Sequence, residues 1–422
     1  MKRVFTSAGI VGVGVLGLCS GMAQEEKPWN LKANLRTFYD DNYGTLNSAN
    51  AAKDDSFGID INPVGTYKAQ QGPTKYQVEY DYRLRFFEGR SNNKTDNQHL
   101  ISLQIANQFA DDWNVRLNNR FSYAQEPGVN GPGGLVIAPV KTEGSHVRNN
   151  ASAVLSHNVS ETEDATLTYQ NAVADYQGDG VASRSALLDM VGHKFKFAVN
   201  TELTDSTKGT FGYTFGLDSM TSDDPLANAA SGATRTILPE ERDRRYHHMY
   251  VGASHSFTED FRVRANVGVE LSEYPNAAAT SDQSQINPWA ESKLQYDLND
   301  DSGASLGVKH ERAGTDVAFN VANPGTTTTD SQVTTVFGSY DRRIAGPLFG
   351  SLVFQIQNTS FSGGTADGSA DQLYTGGLTF RYEILPQSLD AEAGYSLDRL
   401  DSDLNARSFT RHRTFLGVKY RF

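Results

Sequence analysis

Cysteine is almost missing: the 422-residue chain has one, Cys19. Past residue 20 no apolar run reaches membrane-helix length, and the mean hydropathy is −0.50. A polytopic helical membrane protein is thereby excluded, since each span needs about 20 mostly apolar residues. Basic residues are the minority, 38 Lys and Arg against 50 Asp and Glu, for a formal net charge of −12. Against these shortages stand 22 Phe, 19 Tyr, 3 Trp and 38 Gly, too much aromatic and turn-forming material for a disordered chain. The length fits two or three soluble domains or one large β architecture. What survives is an exported soluble β protein, or a β-barrel whose lumen and loops account for the polar average.

The first residues set the compartment. Lys2 and Arg3 form a short basic region, and Ala8 to Leu18 is an apolar, glycine-rich stretch too short to span a bilayer. Gly21-Met22-Ala23 then supplies small residues at −3 and −1. This is the pattern of a secretory signal peptide, residues 1–23, cleaved before Gln24. Leu18 stands before Cys19 where lipid attachment needs a small residue, so Cys19 is expected to leave with the signal. The remainder, 24–422, holds no cysteine, and losing Lys2 and Arg3 takes its formal charge to −14. Exported at this size without disulfides, it must be held by its fold or by lipid. Export also removes nucleic acid from the partners.

The dominant pattern is period two. Tyr76, Val78, Tyr80, Tyr82, Leu84 and Phe86 alternate with Gln77, Glu79, Asp81, Arg83 and Arg85. The runs from Trp113 to Tyr123, Phe261 to Leu271 and Tyr374 to Ile384 repeat it. Neighbouring side chains on a strand face opposite ways, so each segment has one apolar and one strongly polar face. No comparable segment carries a 3.6-residue repeat, and the fold class is all-β.

Connections alternate between short and long. Tight turns rich in Gly, Pro, Asp and Asn fall at 71–73, 111–112, 160–164, 204–206, 259–260, 299–301, 345–347 and 386–387. Longer polar segments lie near 40–56, 88–97, 126–145, 175–184, 219–242, 272–284, 312–331, 359–371 and 399–408. One hairpin is used twice, Phe109 to Arg116 and Phe257 to Arg264. Eight turns and nine loops join about 18 strands, with 16 as the alternative count. All tight turns then share one end of the sheet and all long loops the other. Pro63 and Pro288 fall inside two of the strands and weaken them. No composition shift marks a second domain, so 24–422 is expected to be a single domain.

Many segments approach or exceed 12 alternating residues, and a tilted strand crosses a bilayer in roughly 9–11. Closure removes unpaired edges, which a bilayer does not tolerate. The reading is a transmembrane, antiparallel, up-and-down β-barrel with short periplasmic turns and long extracellular loops; a periplasmic sandwich or propeller is the alternative. The last strand places Leu416, Val418, Tyr420 and the terminal Phe422 on one face. This resembles the signature that outer-membrane barrels present to their assembly machinery. With Tyr39-Asp40-Asp41-Asn42, Ile61-Asn62-Pro63 and the aromatic hairpins, the chain resembles the β-barrel porin families of Gram-negative bacteria, particularly the β-barrel porin 2 group. The resemblance spans nearly the whole of 24–422 on motifs of low specificity. It implies an outer-membrane location, with outer-membrane lipid and lipopolysaccharide as partners, more firmly than it implies a cargo.

Function is first sought in the lumen, since 16–18 strands enclose an aqueous channel. On the clean strands the inward positions carry sixteen basic and nine acidic residues. The basic ones include Arg83, Arg85, Arg116, Arg120, Arg262, Arg264, Lys309 and Arg381, and the acidic ones Glu270 and Glu311. Loop acids beyond a Debye length of about 8 Å are screened, so the wall decides, and a basic wall is the usual device of an anion-preferring pore. Equally, inward Arg and Glu could form a structural ladder of paired charges. The apolar stretch around Val129, Leu135, Val136 and Ile137 lies in the third long loop and resembles the constriction loop of general porins, or else is a surface contact. Asp40-Asp41 and Asp367 to Asp371 lack the ligand density of a calcium loop, so no metal and no cofactor is expected. No His-Glu-x-x-His zinc motif is present, and catalysis is not expected. The expectation is a passive channel for small hydrophilic solutes, weakly anion-preferring; the alternative is an accessory barrel for exopolysaccharide export or surface attachment. A homo-oligomer is left open.

Overall fold

The structure, a computed structural model, describes residues 27–47, 54–125, 129–130, 136–138, 145–228, 233, 235–278, 283–299, 301–317 and 328–422. The signal-peptide expectation therefore lies outside the described residues. Eighteen strands form one sheet: β1 (Trp29–Asp40), β2 (Ser56–Gln71), β3 (Thr74–Phe87), β4 (Thr95–Gln108), β5 (Trp113–Ala124), β6 (His146–Asn158), β7 (Glu163–Tyr176), β8 (Met190–Thr204) and β9 (Thr207–Met220). It continues through β10 (Arg244–Ser256), β11 (Phe261–Glu273), β12 (Ser284–Asn299), β13 (Ser302–Ala313), β14 (Asp330–Ala345), β15 (Leu348–Ser362), β16 (Ala370–Leu385), β17 (Leu389–Ser402) and β18 (Phe409–Arg421). Each strand pairs antiparallel with its chain neighbours. β18 pairs back onto β1, from Lys32 opposite Arg421 to Asp40 opposite Arg413, so the sheet closes into a barrel.

The eight tight turns and nine long loops fall where the alternation puts them, and the count is 18 rather than 16. Two of the turns are Gly-Pro pairs: Gly72 (φ 57°) and Gly346 (φ 50°) take the left-handed backbone that lets a two-residue loop reverse the chain. Register shifts of one residue at Glu202/Thr204, Asp297/Asn299, Arg343/Ala345 and Glu383/Leu385 all sit beside tight turns. Bulges concentrate at barrel rims because they absorb the local twist. The repeated hairpin stacks the same aromatic pair twice, Phe109 on Trp113 and Phe257 on Phe261.

Both interior prolines are accommodated where a ladder is already interrupted. The β2–β3 pairing skips from Ile61/Leu84 to Val64/Asp81, so Pro63 has no partner there. The carbonyl of Tyr82 instead accepts a hydrogen bond from the Asn62 side chain at 2.8 Å. Pro288 pairs with Val269 on one side, while the β12–β13 ladder begins only at Ala290. A residue without an N–H is tolerated at such gaps.

The barrel is inside-out relative to a soluble domain. Phe57, Leu416 and Ile286 are 65%, 64% and 75% exposed on the outer face, while Asp40 and Asp390 are 1% and 0% exposed on the inner one. Such a band is what lipid solvates. Among the described residues, buried apolar clusters lie at the loop end, where Ala186, Leu226, Ala227 and Ile237 form one and Val317, Phe361, Ala366 and Leu404 another.

Candidate functional site

Eighteen strands about 4.8 Å apart and tilted by about 40° give a barrel about 36 Å across between backbones. Opposed side chains cannot bridge that gap. Wall charges therefore line the lumen, and only loops can close it.

The inward charges separate into two populations. The first is a ladder around the closure seam, on β16–β18 and β1–β3. Arg411 grips Asp40 through Nε at 3.0 and 2.9 Å, with both side chains buried. Arg413 bonds Asp398 at 2.6 Å and Arg36 bonds Glu392 at 2.6 Å. Arg83 and Arg85 share Asp60, at 3.3 and 3.8 Å. Asp390 takes Arg421 and also Arg381, which lies 3.5 Å from it and 3.3 Å from Glu383. Three of the sequence-derived lumen residues, Arg83, Arg85 and Arg381, thus belong to a structural lattice. Asp60 was missed from sequence because Asn62-Pro63 interrupts the alternation of its strand.

The second population lies outside that ladder, on β5, β8, β11 and β12. Arg116 and Arg120 on β5, Lys196 on β8, Arg264 on β11 and Lys293 on β12 form no ion pair with any described residue, although Lys196 stands over the Tyr250 ring at 5.1 Å. Their neighbours are neutralised locally: Arg262 with Asp297 at 2.7 Å and Lys309 with Glu311 at 2.6 Å. Glu270 faces Arg244 at 3.5 Å, and Arg244 also holds Asp218 at 2.8 Å. Tyr246 and Tyr250 lie flat on this wall over Gly216 and Gly212, where a Cβ would come within 2.1 Å of either ring. His248 faces inward against Trp289, with ring centroids 4.3 Å apart, whereas His247 faces outward, 2.7 Å from the Tyr213 hydroxyl. The two imidazoles point to opposite sides of one strand.

The mouth carries a third arrangement, with no sequence signal. Loop 4 (177–189) contains a short helix, α1 (Arg184–Leu188), capped by Ser183, and loops 7 and 9 run over 314–329 and 403–408. Loops 4 and 9 are rooted close to half-way round the barrel from each other. Yet Arg184 and Arg407 both act on Asp316 of loop 7, Arg407 at 3.2 Å. Arg407 also bonds Asp371 at 2.8 Å. Loop 5 joins through Arg242, which donates to the carbonyls of Leu187, at 3.2 Å, and Thr315. Loops from opposite walls can meet only by folding over the lumen. Burial opposes ionisation of Asp316, but Arg407 and then Arg184 outweigh it and hold the carboxyl below the usual aspartate range. Burial lowers Arg242 to about 10, against the pull of Asp316 and Asp330.

Because the folded pKa of Asp316 is depressed, its contribution is fully present above the ordinary aspartate value of about 3.9 and is lost as pH falls through the depressed one. Hydrogen-exchange protection of 183–189 is expected to hold through neutral and mildly acid pH and to fall only below about pH 4. Asp316→Asn should remove it at pH 7. Protection unchanged in that variant would mean the loops meet without the latch.

Of the constriction-loop residues, Val129, Val136 and Ile137 fall in a two-residue and three-residue ribbon (Val129–Asn130 with Val136–Ala138) separate from the barrel sheet. Leu135 lies outside the described residues. Leu416, Val418, Tyr420 and Phe422 share the outer face of β18, all exposed. Asp40 and Asp371 are spent on Arg411 and Arg407, and among the described residues no three His, Cys, Asp or Glu gather to hold a metal ion.

No protein-family model matches the chain, and no curated protein does. The resemblance to the β-barrel porin 2 group therefore rests on its motifs. Solved structures similar to the chain include OccK9 (OpdG) of Pseudomonas aeruginosa, at 10% identity over 93% of this chain and 98% of that one, with a TM-score of 0.48. OccAB3 of Acinetobacter baumannii is 12% identical over 93% and 99%, with a TM-score of 0.46. The siderophore receptor PirA of Acinetobacter baumannii is 10% identical over 95% and 81%, with a TM-score of 0.49. Nothing about cargo follows from likeness at this level.

Proposed function

We propose that the chain is an outer-membrane, porin-like channel through which small hydrophilic solutes diffuse passively, with a weak preference for anions. The observation that carries this is the lumen: a polar wall too wide for side chains to close, with the cations Arg116, Arg120, Arg264 and Lys293, unpaired among the described residues, facing the water. Residues 1–23 are removed on export. Leu416, Val418, Tyr420 and Phe422 are the strand the barrel assembly machinery reads. Catalysis has no part in this reading.

The latch at Asp316 favours a second reading, in which a partner opens the mouth and the barrel serves polysaccharide export or attachment. Planar-bilayer recording separates the two. Steady conductance from the folded barrel supports the channel, and a sealed bilayer favours the partner-opened barrel.

A further inference from the structure

Seven of the nine histidines face outward, and they fall at two heights. His193, His247 and His412 each lie three residues past the loop-side start of their strands, and His99 four. His310 lies three residues before the loop-side end of its strand. His157 and His255 stand at the turn-side rim, one stacked on Trp113 at 4.1 Å and the other bonded to Thr207 at 2.8 Å. β10 carries both heights. From His247 to His255 its outer face reads Met249, Val251, Ala253, and those eight residues climb about 20 Å at a tilt of about 40°. An imidazole is poorly tolerated in hydrocarbon, so the two heights mark the edges of the apolar band.

At the loop-side height the site is built, and built the same way four times. The hydroxyls of Tyr80, Tyr169, Tyr213 and Tyr395 lie 2.9, 2.9, 2.7 and 2.7 Å from Nδ1 of His99, His193, His247 and His412. Each tyrosine sits on the preceding strand, two residues diagonal from the position opposite the histidine. A phenol can donate to Nδ1 or accept from it, so the pair survives a change of protonation. No described residue bonds Nε2 of any of the four. His310 differs, since Gln332 and Thr334 occupy both of its nitrogens.

We infer that His99, His193, His247 and His412, each anchored by its tyrosine, bind the phosphate groups of lipid headgroups in the leaflet on the long-loop side. A ring N–H or imidazolium at the boundary of the apolar band complements a phosphate oxygen, and a fixed Nδ1 leaves Nε2 as the donor. Exposed Arg245 lies two residues above His247, opposite Glu273 on β11. The inference rests on reading the chain as an outer-membrane barrel, but it does not need an open lumen.

The test is native mass spectrometry of the refolded barrel in detergent micelles doped with bisphosphoryl or dephosphorylated lipid A. The wild type is expected to retain the phosphorylated lipid about tenfold better, the ratio one charge-assisted hydrogen bond supplies. H99Q/H193Q/H247Q/H412Q should bring the two lipids to parity, with folding checked by heat-modifiable gel mobility. If that variant fails to fold, Y80F/Y169F/Y213F/Y395F takes its place and should lose most of the preference. Equal retention of both lipids by the wild type, or an unchanged preference in the folded variants, would overturn the inference. Failure of the channel reading would appear separately, as absent conductance with lipid retention intact.

Discussion

Asp40→Asn is expected to destabilise the barrel by about 3–5 kcal/mol, because it leaves a buried guanidinium without its charge partner. The Asp40 and Arg411 side chains are 2% and 9% exposed, on the two strands that close the cylinder. The measurement is the urea midpoint of the folded protein in micelles, read by gel mobility. Removing both partners, in D40N/R411Q, should recover part of the loss, since the cost lies in the orphaned charge rather than in the missing pair. Arg262→Gln is the contrast: its pair with Asp297 is about half exposed on both sides, so the midpoint should barely move. An unchanged midpoint in Asp40→Asn would show that the seam is held by backbone pairing alone.

Neutralising Arg116, Arg120 and Arg264 together should shift ion selectivity toward potassium. One charge acts on an ion about 10 Å away with about 0.4 kcal/mol in water, and about 0.12 kcal/mol after screening at 0.15 M salt. Three such charges change the local chloride-to-potassium ratio about threefold. Neutralising Arg83 and Arg85 instead should do less, because both already share Asp60. Equal shifts from the two sets would mean that net lumen charge, not unpaired charge, sets selectivity.

The strand count, the turns and the inward or outward face of each clean strand were legible because a two-residue period leaves little freedom. Tyr76 to Phe86 lies on one face, and Gln77 to Arg85 on the other, wherever the strand ends. The pairing of charges was not legible. Arg83 reaching Asp60 depends on the register of β2 against β3, which the gap at Asn62-Pro63 obscures. Asp218 and Arg244 sit at strand ends beside a long loop, where the alternation fades. The mouth was beyond reach for a different reason. Asp316 and Arg407 are 91 residues apart, in two different loops, and only closure of the barrel brings them together. Apolar Val136 and Ile137 stand out in the sequence because loops seldom carry such side chains, whereas the loops that meet over the lumen are joined by ion pairs, hydrogen bonds and small apolar clusters whose members are far apart in sequence.

Single-channel recording of the refolded wild-type barrel in a planar bilayer, under a KCl gradient, tests the central claim most directly. Steady conductance with a reversal potential displaced toward that of chloride is the predicted result. No conductance from protein shown to be folded would contradict an open channel, and reversal toward potassium would contradict a lumen governed by its unpaired arginines.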